Sequence, residues 1–248
     1  ARAACAPALE GGAGKKQVGL WGRRRACFGQ WLGPHPWVAD CYKVVEALTR
    51  GREHQSAVAY GNHFHNGYLG RDLSHTGLGL AWDFIIVHES AHEWFGNNIT
   101  TKDIADSWVH EGFSNYAESL YEECQSGKEA GAKYVIGVRQ NIDNDVPIVA
   151  EYGLNREGSD DMYYKGGNML HTIRQVVNDD EKWRSILRGL NKTFWHQTVT
   201  GAQIEEYMSK KAGVDLSTIF AQYLTTTKIP VLGYSIAPGK LTYQSKTV

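Results

Sequence analysis

Residues 88 to 94 read HESAHEW, two histidines four positions apart with a glutamate directly after the first. On an α-helix, positions i and i+4 lie on one face, one turn apart. His88 and His92 can therefore aim their imidazoles at a single ion; zinc accepts histidine nitrogens at about 2.0–2.1 Å. Glu89 is turned by about 100° from His88. That sets it beside such an ion, where a base can take a proton from a metal-activated water. A catalytic zinc also needs a third protein ligand and an open position. Glu111, in the stretch WVHEGFSNYAE and separated from His92 by eighteen residues, offers that ligand. A surface helix that merely happens to carry two histidines would need no such partner.

These groups require helices to hold them, and the surrounding sequence supplies them. WDFIIVHESAHEWFG has Phe84, Val87, Ala91 and Trp94 on one stripe and stops at Gly96. DIADSWVHEGFSNYAESLYEEC predicts a long second helix with Ile104, Trp108, Tyr116 and Leu120 towards a core. Further helical segments are expected at 128–141, 161–178, 180–189, 201–211 and 215–225. Before them, residues 37–82 read as short strands between Gly- and Asn-containing turns. The tail KIPVLGYSIAPGKLTYQ alternates around a Pro-Gly turn and predicts a short C-terminal β-hairpin. Strands first and helices after define an α+β class. Residues 1–30, rich in Gly, Ala and Arg, show no period and are expected to form a poorly ordered leader.

Bulk properties narrow the partners. With 248 residues and a formal net charge of -1, the chain carries no basic field for nucleic acid. No apolar run approaches the ~18 residues of a membrane span, and the first residues lack the apolar region of a signal peptide. A soluble protein follows, with the choice between cytoplasm and a periplasmic or secreted setting left open. Cys5, Cys27, Cys41 and Cys124 show no CxxC, and their spacing favours no disulfide. His63 and His65 in NHFHNG read as loop histidines, and Asn98 and Asn191 stand in weak glycosylation sequons.

HExxH, eighteen residues and then the glutamate of HEGF resembles the gluzincin metallo-aminopeptidases of the aminopeptidase N and leukotriene hydrolase type. WFGNNIT resembles that family's W-x-G-N-x-x-T, and DSWVHEGF its D-x-W-x-N-E-G-F, with His110 in place of the asparagine. The resemblance implies one Zn2+ per chain on His88, His92 and Glu111, with Glu89 as the general base. DMYYKGGNML resembles the family's Y-x-K-G segment, which implies that Tyr163 rather than Tyr164 supports the oxyanion. A neutral phenol O–H donates at pH 7, as that task needs. The family also binds the substrate's α-amine through a G-x-M-E-N segment on an edge strand. The nearest match is RGREHQSAVAY, where Gly51 and Glu53 are taken as matching and Arg50, Arg52 and His54 depart.

The implied fold is a thermolysin-like zincin catalytic domain over 31–228, a small, mostly antiparallel sheet on a larger helical lobe. Residues 229–248 are expected to be the hairpin that starts a truncated β domain, the family's flanking domains being missing from this chain. The implied function is a zinc-dependent aminopeptidase acting on peptides with a free N-terminus. A thermolysin-type endopeptidase and a catalytically silent zinc-binding fragment stay open as alternatives.

Overall fold

A computed structural model describes residues 20–40 and 42–247. It opens with helix α1 (Trp21–Trp31), whose buried side is Arg24, Cys27, Phe28 and Trp31, an i, i+3, i+4, i+7 stripe. The expected disorder up to residue 30 is therefore corrected for residues 21–30, while residues 1–19 lie outside the described residues. Gly22 and Gly29 lower the helical propensity of this stretch and Arg24 interrupts its apolar stripe, and packing supplies what the local signal lacks. Cys27 is joined by a disulfide to Cys124, 97 residues away. The expectation of no disulfide fails here because the two cysteines meet only when α1 lies on a later helix.

Strands β1 (Lys43–Glu46), β2 (Gly51–Arg52) and β3 (Ala57–Tyr60) form a sheet of order β1-β3-β2. β1 runs parallel to β3, with Val44 opposite Val58, and β2 runs antiparallel to it, with Gly51 opposite Tyr60. Helix α2 (Phe84–Ala91) lies against this sheet through Val44, Val58, Tyr60, Ile85 and Ile86. Strand β4 (Ile99–Thr101) pairs in parallel with a later strand, β5 (Gln197–Val199). The sheets ahead of the tail are thus mixed, which corrects the expected mostly antiparallel arrangement. Alternation shows which face of a strand is buried, but strand direction depends on which neighbour the chain delivers.

The helical lobe comprises α3 (Trp108–Ser126), α4 (Lys128–Gly137), α5 (Tyr164–Val177), α6 (Asp180–Thr193), α7 (Gly201–Ala212) and α8 (Ser217–Leu224). Trp108, Tyr116 and Leu120 of α3 are buried in the large core, together with Val87, Ala91 and Trp94 from the α2 region. Ile104 belongs to the short 3-10 turn Ile104–Asp106 before α3 and is 36% exposed. Helices α3 and α5 cross at glycines: a Cβ on Gly166 would stand 3.1 Å from the Gly112 Cα. That close approach sets the start of α5 beside the first turns of α3. Asn98 and Asn191, the sequon asparagines, are buried and hydrogen-bonded to each other at 3.1 Å, so neither side chain is open to a glycan. The tail forms β6 (Pro230–Ala237) and β7 (Lys240–Thr247), paired antiparallel with Tyr234 opposite Tyr243. Leu232, Tyr234, Ile236, Leu241 and Tyr243 share one exposed face of this ribbon. Among the described residues no helix is long and apolar enough to cross a membrane.

Candidate metal centre and cleft

Helix α2 begins at Asp83, whose carboxylate accepts the Ile86 N–H and caps the helix. The Tyr60 hydroxyl and the Asn62 amide donate to the same carboxylate at 2.5 and 2.9 Å, which ties the helix start to the sheet. Two turns on, the Nε2 atoms of His88 and His92 stand 3.2 Å apart. Each lies 3.3 Å from Glu111 Oε2, delivered from the first turn of α3. These three residues could together hold a metal ion.

The remaining ring nitrogens are committed elsewhere. His88 Nδ1 lies 2.8 Å from Glu118 Oε1, and His92 Nδ1 lies 2.9 Å from the Phe95 carbonyl. A carbonyl only accepts, so His92 carries its proton on Nδ1, and Glu118 as a carboxylate fixes the same tautomer in His88. Both Nε2 lone pairs then point at one spot together with a carboxylate oxygen. Three acceptors crowded in this way repel one another unless a cation lies between them, so the donor set fits zinc. The surrounding carboxylates make the spot favourable for positive charge, which a proton meets when no metal does. Burial works against a charged imidazole, yet the carboxylates around His88 and His92 hold both above the ordinary histidine range. Burial likewise works against the Glu111 carboxylate, but the two histidines keep it well below the usual carboxylate range.

Glu89 stands beside the cluster with its Oε2 buried and without a hydrogen-bond partner. Burial lifts its carboxyl above the ordinary range, and the neighbouring histidines oppose that shift. Its position depends on Gly51 of β2. A Cβ there would stand 2.3 Å from Glu89 Oε1 and 2.9 Å from Ile85 Cγ2. Gly51 thus leaves the space that Glu89 occupies.

A cleft of about 600 Å³ opens over these residues, lined among others by Gly51, Glu53, His88, Glu89, His92, Glu111, Tyr163 and Tyr164. Gly51, Glu53, His88, Glu89, His92, Glu111 and Tyr163, the seven residues for which the sequence suggested a role in the site, thus all line it. The Tyr163 ring centre lies 5.9 Å from that of His88. Burial raises its phenol far above the ordinary tyrosine range, and the Glu111 carboxylate adds to the effect, so the O–H stays a donor. Counted strictly from Gly51, the glutamate of G-x-M-E-N would fall on His54. Glu53 and not His54 is among the residues that line the cleft.

Glu118, to which no role was given from the sequence, is fully buried against His88, Asn115 and Tyr134. Its spacing of seven from Glu111, two helical turns, was the available signal. Ser114, 3.1 Å from His92 Nδ1, had none. His110, the departure from the family pattern, accepts the Thr101 N–H through Nε2 at 2.9 Å, and burial pushes its imidazole down to about 4, so it stays neutral. His63 and His65 are exposed, with ring centres 6.5 Å apart.

A helix-borne pair of histidines completed by a glutamate from the next helix, in a cleft between a small sheet and a helical lobe, is the signature of a metal-dependent hydrolase class. Residues 80–223 match the model of the Peptidase family M1 domain, and the chain belongs to that family. It is 23% identical over 173 residues to probable aminopeptidase 2 of Sulfurisphaera tokodaii, covering 65% of this chain and 22% of that protein. It is 26% identical over 178 residues to aminopeptidase B of Rattus norvegicus, covering 62% and 27%. The fold resembles the crystal structure of the M1 zinc metallopeptidase from Deinococcus radiodurans, with a TM-score of 0.67 at 22% identity over 91% of this chain and 47% of that one. It also resembles leukotriene A4 hydrolase from Saccharomyces cerevisiae, with a TM-score of 0.65 at 16% identity over 83% and 34%. The chain spans about a quarter of the length of these curated relatives.

Proposed function

We propose that the chain is the catalytic unit of a zinc-dependent aminopeptidase that removes N-terminal residues from peptides. The observation that carries this reading is the convergence of His88 Nε2, His92 Nε2 and Glu111 Oε2, with the unpartnered Glu89 carboxylate beside them. Its membership of peptidase family M1 supports it. His88, His92 and Glu111 would hold the metal, and the fold is read as a zincin domain of thermolysin type.

When bound, zinc supplies a Lewis acid that polarises the scissile carbonyl and makes water a nucleophile at neutral pH. Glu89 takes the proton of the attacking water and delivers it to the leaving amine. A raised carboxyl suits this two-way transfer, because the group must both accept and release the proton. The Tyr163 hydroxyl donates to the oxygen on which negative charge develops. Glu53 holds the substrate's α-ammonium at the cleft wall, which fixes the distance from the N-terminus to the scissile bond and limits each event to one residue.

Two further readings concern the chain around the site. The Cys27–Cys124 bridge supports an oxidising compartment. The exposed apolar face of the β6–β7 ribbon supports contact with a further β domain, since a two-stranded ribbon is marginal alone.

Turnover of a free-amino alanyl anilide beside its N-acetylated twin tests the function on zinc-loaded protein. Cleavage of the free form alone, abolished in E89Q with zinc retained, is the expected result. Cleavage of both forms would indicate an endopeptidase. Cleavage of neither, with zinc bound, would leave a metal-binding domain without activity.

A further inference from the structure

Two guanidinium groups on the cleft wall have no part in the chemistry above. Arg50 and Arg52 both line the cleft, on the segment that leads into Glu53. Arg50 Nη1 donates to the Tyr68 hydroxyl at 2.8 Å, and its guanidinium carbon stands 5.7 Å from the centre of the Tyr68 ring. Tyr68 packs edge-on against Phe84, with centres 5.6 Å apart at 90°. Phe84 in turn stacks on His88 at 5.6 Å and 14°. An aromatic wall therefore runs from a metal-binding imidazole to a guanidinium held in place by a tyrosine.

We propose that Arg50 is a specificity-determining residue and that the cleft selects peptides whose first side chain ends in a carboxylate. The inference rests on the reading of Glu53 as the amine anchor. The Cα of the first residue is bonded to the nitrogen that Glu53 holds. Its side chain leaves that Cα and so starts close to the anchor, and Arg50 and Arg52 stand on the segment that leads into Glu53. Aromatic rings of Phe84 and Tyr68 cover the methylene groups, and the arginine meets the end. A guanidinium presents five N–H donors in a fixed fork, and Tyr68 uses one of them, which leaves the fork able to take a carboxylate. Because Tyr68 already orients it, little side-chain freedom is lost on binding.

The cleft also carries Asp143, Asp160 and Asp161, which come from the stretch between α4 and α5 rather than from the β2 segment. Asp161 is buried and accepts the backbone N–H groups of Asp143 and Asn144 at 2.9 and 2.7 Å. Asp160 opens the turn that leads into Tyr163. Asp160 and Asp161 thus belong to the turn that delivers Tyr163, a different segment from the one that carries Arg50 and Arg52. A substrate with a basic first side chain would meet two like charges at Arg50 and Arg52.

The experiment compares kcat/KM for glutamyl, glutaminyl, alanyl and arginyl anilides, all with free amines, on the zinc-loaded 248-residue chain. The glutamyl substrate should exceed its uncharged isostere, the glutaminyl one, by about tenfold or more, the scale of a charge-assisted hydrogen bond. That ratio should fall to near one in R50A and R50Q and be kept in part by R50K. A wild-type ratio near one, a preference for the arginyl substrate, or a ratio unchanged in R50A would overturn the inference. Calorimetric titration of free L-glutamate and L-glutamine into the zinc-loaded wild type and R50A reads the selection without turnover. An inactive chain that still prefers glutamate, and loses that preference in R50A, would uphold the side-chain site and sink the aminopeptidase reading. An active chain indifferent to the charge would do the reverse.

Discussion

Glu118 Oε1 lies 2.8 Å from His88 Nδ1, and the Asn115 amide and the Tyr134 hydroxyl donate to the same buried carboxylate. The carboxylate fixes which nitrogen of His88 faces Glu111, and its charge makes that nitrogen a better donor to a metal. E118Q should weaken zinc binding by about 10–100-fold. Competition against a chromogenic chelator would measure it. An unchanged zinc dissociation constant would show that the carboxylate does not act through His88.

Gly51 leaves space that Glu89 occupies, since a Cβ would lie 2.3 Å from the Glu89 carboxylate. G51A should therefore displace the Glu89 carboxylate, the proposed base, and cost roughly 10²-fold in kcat, the usual consequence of moving a catalytic group by about 1 Å. Zinc content should stay at the wild-type value. Loss of zinc together with activity would mean that the substitution disturbs the whole of α2 rather than Glu89.

Tyr163 and Tyr164 both line the cleft, but only one is read as facing the reacting carbonyl. Y163F should lower kcat by about 10²–10³ with little change in KM, whereas Y164F should cost less than about tenfold. Steady-state kinetics on one substrate would decide. Equal losses in the two variants would remove the case for a dedicated oxyanion donor.

The acid response of the fold should carry a mark of Asp83. Burial raises its carboxyl to about 6, although hydrogen bonds from Tyr60, Ile86 and Asn62 favour the charged form. In the unfolded chain the group titrates near about 3.9. Between these values the native state holds a proton that the unfolded state has released, so stability falls as the pH rises. The contribution is fully present below about 4 and lost by the time the pH passes about 6, at most roughly 3 kcal/mol. Denaturant unfolding across that window should show a shallower slope in D83N, where asparagine still caps α2. Identical slopes in the two proteins would rule out this assignment.

The Cys27–Cys124 bridge closes a loop of 97 residues and pins α1 to the end of α3. By chain entropy, opening such a loop costs about 2–5 kcal/mol. C124S, or reduction of the wild type from the exposed Cys124 side, should lower Tm while the cleft keeps its zinc affinity. A Tm insensitive to reductant would mean that α1 docks through Phe28 and Trp31 alone.

The local sequence settled the parts of this protein that depend on one helix at a time. The i, i+4 pair of His88 and His92 and the offset of Glu89 follow from helical geometry alone, and so do most of the helices from 128 onward. Glu111 was suggested by the need for a third ligand and fixed by motif resemblance, and Tyr163 and Glu53 by resemblance alone, because nothing local places three separate segments at one point. The tertiary structure decided the rest. Gly112 and Gly166 let α3 and α5 close until the Tyr163 ring stands beside that of His88, and a side chain at Gly51 would meet a carboxylate 38 positions away. Glu118 became a partner of His88 only when α2 packed beside α3. Strand direction and the Cys27–Cys124 pairing depended in the same way on which distant neighbour arrives. Periodicity records the environment a residue seeks, and folding alone determines which residue meets it there.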